Sequence, residues 1–409
     1  MKYSNSLKYM NAFPGAPTRA DISSKRAAEL CRMLGRINQG MRCICLPSCG
    51  AGHVAAMMLE EVIKSAEYKV GRITSAYGFD SRASIFINGE IPSIDDYNDG
   101  VEEIKNAVKR NPDEAYTKEE VVFALGLLIC QVHGCDFVIL EGLSDAHFSL
   151  DAICAPFELI VAPTIYDGVK SDKVKGICDT IRRGVREVVS GNQKSEIYNL
   201  LSSACAINGT RMFIPVKAQF EVTEISARSI TFSYAGRENF TLKNPSYLAR
   251  DCAMTVIEAA LALRRGGVRL PWASISAGLA SVSGTGCFDI VSLSPRVIFD
   301  VATLPEEAEL IVNTSKELWG EDSLCGVTLC IDSDSREAAS AFSERASDAI
   351  MFIPACFEVL PNGVVAFETV KKTAQEAHKL IKEGKNLVCL GGVEFTYQLK
   401  HELLRIMNG

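Results

Sequence analysis

The chain has 409 residues, of which 47% are hydrophobic and 23% charged, with a formal net charge of −7. That length sustains two or more domains with cores of their own, and the composition is that of a globular protein. The acidic balance excludes non-specific binding to nucleic acid or to an anionic membrane surface, and no run of about 18 apolar residues is present to span a bilayer.

The opening segment carries no apolar h-region, so no secretory signal is expected and the chain reads as cytoplasmic. Its 15 cysteines are scattered through apolar runs. In a reducing compartment they are expected to be buried free thiols.

In chain order, RCICLP (42–47) reads as a buried strand, followed by the apolar helix HVAAMMLEEVIKSA (53–66). Strands KVGRITS (69–75) and ASIFING (83–89) come next, then a helix pair over 93–110 and 118–133, and buried strands CDFVILEG (135–142) and FELIVAPT (157–164). This alternation predicts a mainly parallel sheet with helices on both faces. From RMFIPV to NFTLKN (211–244) strands follow one another without a helix, which predicts a local antiparallel sheet. Helices over 247–265 and 272–281 lead to SVSGTGCFD (281–289), small and glycine-containing, the best linker candidate. The rhythm then restarts with strands RVIFDVA, GVTLCID, DAIMFIP, GVVAFE and NLVCLGG and helices over 306–318, 336–345, 369–383 and 396–406. The expected fold class is α/β, with two domains: 1–283, P-loop-NTPase-like, and 287–409, a smaller Rossmann-like unit.

The turn PSCGAGH (47–53) lies where a nucleotide-binding protein keeps its phosphate loop. Backbone N–H groups and a helix N-terminus can face an anion there, and Gly50 and Gly52 permit close approach. A working loop also needs a lysine on the β- and γ-phosphates and a Ser or Thr on magnesium. Ala51 and His53 stand in those places, and an imidazole suits magnesium poorly. Losing the cation removes an electrostatic contribution on the order of several kcal/mol to phosphoryl transfer. Cys43, Cys45, Cys49 and His53 form an alternative metal set, but the first two share one face of a buried strand and a closed site needs four converging ligands.

Three further blocks follow in order: TSAYGFDSRASIFING (74–89), TKEEVVFAL from Thr117, and LEGLSDAHFSLDAI (140–153). With the loop and VAAMM, they make the chain resemble folylpolyglutamate synthase, within the Mur ligase group of ATP-dependent amide-forming enzymes. That family reads GTNGKGS and TAAM at the loop, TSPHL and ERI-x-ING in the next block, then TKFE and LEVGLGGRLDATN. Thr74, Ser75, Ile85, Ile87, Asn88, Gly89, Glu141, Leu150, Asp151 and Ala152 keep its letters.

The departures fall on the chemistry that the resemblance implies. The family's magnesium ligands would be His53, Glu141 and Gly168. Its carbamylated lysine falls at Arg182–Arg183–Gly184, and a guanidinium cannot form a carbamate. Its linker arginine is Cys287, its second-domain histidine is Thr303 between Asp300 and Pro305, and its glutamine is Leu248.

The resemblance with these losses implies a divergent homologue lacking the standard ligase activity. It would bind a small carboxylate ligand in the interdomain cleft or partner another protein, such as an active ligase paralogue. The competing reading is an active ATP-dependent acid–amino-acid ligase working through an acyl phosphate, with ATP and magnesium as cofactors. It requires Arg72, Arg82, Lys170, Arg182 or Arg183 to serve the γ-phosphate. The nucleotide-loop candidates are Cys49, Gly50, Ala51, Gly52 and His53, joined by Asp300 at a strand end where α/β domains bind ligands. Asp300 reads alternatively as a cap of the helix that starts at LPEEAEL. Glu141, His53 and His147 are the metal candidates, two imidazoles and a carboxylate that would suit a transition metal.

Overall fold

The computed structural model describes residues 2–15, 23–37, 40–46, 52–74, 80–142, 158–166, 172–181, 185–342, 346–352 and 364–408. The elements in chain order begin with α1 (Tyr3–Met10), α2 (Ser24–Met33), β1 (Arg42–Leu46), α3 (Gly52–Lys64), β2 (Val70–Thr74), β3 (Ile85–Ile87), α4 (Ile94–Lys109) and α5 (Lys118–Val132). There follow β4 (Phe137–Glu141), β5 (Leu159–Ala162), α6 (Asp172–Thr180), β6 (Glu187–Ser190), α7 (Ser195–Asn208) and β7 (Arg211–Phe213). Strands β8 (Glu221–Ser226), β9 (Ser229–Tyr234) and β10 (Arg237–Leu242) precede α8 (Tyr247–Arg265) and α9 (Trp272–Ser281). The remainder is β11 (Asp289–Leu293), β12 (Arg296–Asp300), α10 (Pro305–Trp319), β13 (Val327–Ile331), α11 (Arg336–Ala339), β14 (Ala346–Phe352), β15 (Val364–Phe367), α12 (Val370–Lys382), β16 (Leu387–Leu390) and α13 (Val393–Asn408).

The chain divides into two compact units, one of residues 1–218 and 251–281, the other of 219–250 and 282–409. The segment 219–250 therefore groups with the second unit, whereas the expected first domain ran unbroken over 1–283.

In the first unit the sheet order is β3-β2-β4-β1-β5-β6-β7. Every described pairing in it is parallel except β2 with β3. One face packs into an apolar cluster with α1, α2, α4 and α5, to which the sheet contributes Cys43, Cys45, Val138, Leu140 and Ile160. The intervening residues Ile44, Leu46 and Ile139 are buried as well, so both faces are apolar, the condition under which parallel strands form. Helix α5 starts with a capping box, in which Thr117 receives the Glu120 N–H and Glu120 answers to Thr117. The same Glu120 carboxylate accepts from the Ser23 N–H at 2.6 Å and from the Arg26 guanidinium at 2.7 Å, which ties α2 to α5. Helix α9 lies on α3 at a glycine: a Cβ at Gly278 would stand 2.4 Å from the Val62 Cα.

One expectation is corrected here. Arg211–Phe213 does not belong to an antiparallel sheet. It joins β6 in parallel as the edge of the large sheet, because α7 supplies the crossover that a parallel neighbour needs. The antiparallel sheet is β10-β9-β8, in the second unit, and its core is the stacked rings of Phe220, Phe232 and Phe240.

The second unit's larger sheet has the order β11-β12-β16-β13-β14-β15, with β11 antiparallel to β12. Period-two alternation sorts its side chains between two cores. Ile298, Leu329, Ile331, Val388 and Leu390 meet α10 and α11, while Val297, Phe299, Cys330, Leu387 and Cys389 meet α12 and α13.

Candidate functional site

The carboxyl end of the first unit's sheet is where the strand-to-helix turn delivers its residues. Leu46 of β1 and Thr74 of β2 flank Glu141, the last residue of β4. Of the loop candidates, Cys49, Gly50 and Ala51 lie outside the described residues, as do His147, Lys170, Arg182 and Arg183. Gly52 and His53 open α3, whose apolar positions Val54, Ala55, Met58, Leu59, Val62 and Ile63 recur at helical spacing and are all buried.

His53 faces Glu141, with Nδ1 2.9 Å from Oε1. The other carboxylate oxygen, Oε2, accepts from Arg72 Nη1 at 2.7 Å. Arg72 sits in the middle of β2, and its Nε donates to Oε2 of Glu60 at 2.7 Å. The remaining Glu60 oxygen accepts from the Gly89 N–H at 2.6 Å. Gly89 has φ of +84°, a conformation natural to glycine, and so presents its N–H to α3. The matched Asn88 also works structurally, accepting from the Val70 N–H at 2.9 Å. Phe86, the register partner of Arg72 on β3, covers the guanidinium with its ring centroid 4.1 Å from Cζ.

Glu60, Arg72 and Glu141 are thus one buried ionic chain capped by His53, whose side chain is 27% exposed. Burial pushes the Glu141 carboxyl upward, but the His53 hydrogen bond and the charges of His53 and Arg72 outweigh it, and the group is held below its ordinary range. Burial likewise works against the Arg72 charge, and Glu141 and Glu60 overcome it. Chemically, both oxygens that a magnesium ion would take on Glu141 are held by protein donors. Arg72, a candidate for the γ-phosphate, is already neutralised by two carboxylates. Arg82 is occupied differently: Nη1 donates to the Pro92 carbonyl at 3.3 Å, and Cζ lies 5.1 Å from the Tyr3 ring centroid. The alternative thiolate set finds no support at Cys43, which packs with Cys45 in the apolar cluster and whose thiol burial pushes up to about 12. Among the described residues, no group of three or more His, Cys, Asp or Glu is arranged to hold a metal ion.

The sequence reading missed Glu60. Its signal was a carboxylate on the buried stripe of an apolar helix, together with an arginine inside an apolar strand. Opposite charges at two buried positions call for each other.

Solved folylpolyglutamate synthases share this architecture. A complex of that enzyme with AMPPCP and folate matches with a TM-score of 0.81 at 17% identity, covering 99% of this chain and all of the other. Folylpolyglutamate synthetase from Lactobacillus casei matches at 0.79 and 16%, again over 99% and 100%. The Mycobacterium tuberculosis folylpolyglutamate synthase complexed with ADP matches at 0.79 and 15%, over 98% and 99%. The chain has the folylpolyglutamate synthase fold. No protein-family model and no curated protein matches the sequence.

Within that fold Asp300 ends β12 and is buried. It does not cap α10. Glu307 does so, accepting from the Thr303 and Leu304 N–H groups at 3.0 and 3.2 Å. Asp300 instead accepts from the Phe288 N–H at 2.6 Å and the Ala302 N–H at 3.0 Å, which fastens the end of segment 282–288 to the sheet edge. Burial pushes its carboxyl up to about 7, against the pull of those two donors. Cys287 is buried, and its carbonyl accepts from Asn244 Nδ2 at 2.6 Å. Leu248 is buried too. Among the described residues, no helix is long and apolar enough to cross a membrane.

Proposed function

We propose that this chain is a divergent folylpolyglutamate synthase/Mur ligase homologue that does not perform the standard ATP-dependent ligation. Its role is to bind a small carboxylate ligand or to partner another protein, an active ligase paralogue being the partner that the shared fold suits. One observation carries the reading: Glu141, where the family places a magnesium ligand, spends one oxygen on His53 and the other on Arg72. Recruiting Glu141 to a metal would leave the buried Arg72 with Glu60 as its remaining carboxylate. Arg72 cannot turn to a phosphate without leaving Glu60 and Glu141 uncompensated in a buried site, where an unpaired charge costs about 3–5 kcal/mol. Position 51 supplies no ammonium in compensation.

The relatives' complexes contain AMPPCP with folate, and ADP, which supports a small-ligand role for this fold. Titration calorimetry of magnesium-ATP against the full chain tests the proposal, alongside phosphate release with folate and glutamate. Absence of binding up to millimolar nucleotide is expected. Micromolar binding with phosphate release would replace this reading with the active ligase. Titrating small carboxylates, and measuring complex formation with a purified ligase paralogue in their presence and absence, separates the two remaining roles.

A further inference from the structure

At the opposite edge of the first unit's sheet, β1, β5, β6 and β7 begin at Arg42, Leu159, Glu187 and Arg211. A cavity of about 220 Å³ opens there, lined among others by Glu158, Arg186, Glu187, Arg211, Arg265 and Gly266. That is far above the ~10–15 Å³ that admits one water.

The charges around it are unequal. Glu187 is buried, and its two oxygens hold Arg211 and, at 2.8 Å, Arg265. Arg265 is fixed a second time by lying 3.8 Å from the Phe213 ring centroid. Glu158 is taken by Arg42 at 2.8 Å. Arg186 is left over: among the described residues its exposed side chain has no hydrogen bond or ion pair. Four guanidiniums therefore face two carboxylates in a protein whose net charge is −7.

The C-terminal end of α8 opposes this excess by about half a negative charge. Its carbonyls at Ala262, Leu263 and Arg264 are already satisfied by the N–H groups of Gly266, Val268 and Gly267. A surplus of more than one positive charge remains. Gly266 keeps the space open: a Cβ there would sit 3.2 Å from Glu158 Oε1 and 3.6 Å from Arg186 Nη1.

We propose that this cavity is a binding site for a small oxyanion of the phosphate class. Planar guanidiniums present paired donors that match tetrahedral oxyanions. Arg211 and Arg265 are pre-positioned by Glu187, and Arg186 lacks a counter-ion until the anion arrives. The site lies at the far edge of the sheet from Glu141 and stands or falls independently of the proposed function.

The test titrates inorganic phosphate into the full chain at low ionic strength, with succinate in a parallel arm. The proteins are the parent, Arg186→Gln and Gly266→Ala. Saturable phosphate binding is expected, weakened roughly tenfold or more in Arg186→Gln, since bonds to charged groups carry that much, and weakened also in Gly266→Ala. Arg186 is exposed, so its variant retains the fold. Phosphate binding equal in parent and Arg186→Gln would place the anion elsewhere, at the 47–53 loop for instance, and overturn the proposal. So would an absence of saturable binding. Succinate binding as tight as phosphate would overturn the phosphate class.

Discussion

Arg72 Nη1 lies 2.7 Å from Glu141 Oε2 across β2 and β4, with the two side chains only 3% and 5% exposed. The same guanidinium reaches Glu60 with its Nε, so a single cation holds two buried carboxylates. Replacing it with a neutral residue of similar length strands both. Arg72→Met is expected to destabilise the chain by about 3–5 kcal/mol, the cost of an uncompensated buried charge. Urea unfolding measures it. Arg72→Lys should recover only part, because an ammonium lacks the fork that serves both carboxylates. The combination Arg72→Met with Glu60→Gln and Glu141→Gln should lie closer to the parent than Arg72→Met alone. If Arg72→Met unfolds like the parent, the chain is not electrostatically coupled as described.

This ion chain also marks where sequence reading stops. Five of the six strands of the second unit's larger sheet were legible, because residues such as Val297 to Phe299 and Leu387 to Leu390 are buried on both faces and so read as unbroken apolar runs, whereas the half-buried antiparallel β11 was not. The 93–110 and 118–133 helices were legible from Ser93 and Thr117, whose side chains cap the observed starts. The antiparallel direction of β3 was not legible: it depends on the turn over Ser81–Ser84 and spans only three residues. Helices α1 and α2 escaped because they are short, and α2 is tied down by Glu120, a residue 94 positions from Arg26. Glu60, Arg72 and Glu141 come together through tertiary folding alone, so no periodicity joins them, and Arg72 stood only among the cations that an active ligase would need for the γ-phosphate. Asp300 was placed correctly at a strand end but serves Phe288 and Ala302 instead of a helix start.

Asp300 gives the second unit a pH dependence of defined sign. Its carboxyl rises from 3.8 to about 7 on folding. Between those values the folded chain holds a proton that the unfolded chain has released. Stability through this group therefore grows as pH falls from about 7 to about 4, and is lost as pH rises through the same window. The full effect is on the order of 4 kcal/mol. Asp300→Asn removes the titration at the cost of one of two backbone hydrogen bonds, about 1 kcal/mol. Urea midpoints of parent and variant should lie close together near pH 5 and separate towards pH 8, where the variant is the more stable by about 3 kcal/mol. Parallel curves across that range would show that Asp300 does not titrate as the geometry requires.

Gly278 fixes the approach of α9 to α3. A methyl group there would meet the Val62 Cα at 2.4 Å and the Val62 N at 2.6 Å, distances that only backbone movement can relieve. Gly278→Ala is expected to lower stability by roughly 1–3 kcal/mol, the usual cost of overpacking. The neighbouring Ser281→Ala, which removes an exposed hydroxyl bonded to Glu61 and to the Gly278 carbonyl, should stay within about 0.5 kcal/mol of the parent. Thermal unfolding of the pair decides whether the close approach or the hydrogen bond holds the two helices together.

The missing phosphate chemistry can be put back at two positions. Ala51→Lys supplies the ammonium that a phosphate loop directs at the β- and γ-phosphates, and His53→Ser supplies the hydroxyl for magnesium. The serine also withdraws the imidazole from Glu141 Oε1, leaving that oxygen free to face a metal-bound water, while Arg72 continues to neutralise Oε2. The double variant is therefore expected to bind magnesium-ATP at least about tenfold more tightly than the parent, as an added charge-assisted contact implies. Calorimetry measures the affinity. His53→Ser alone should gain little, because a hydroxyl without the cation leaves the terminal phosphate unneutralised. Nucleotide affinity in the parent equal to that of the double variant would mean that another cation already serves the phosphate, and the electrostatic argument against ligation would fail with it.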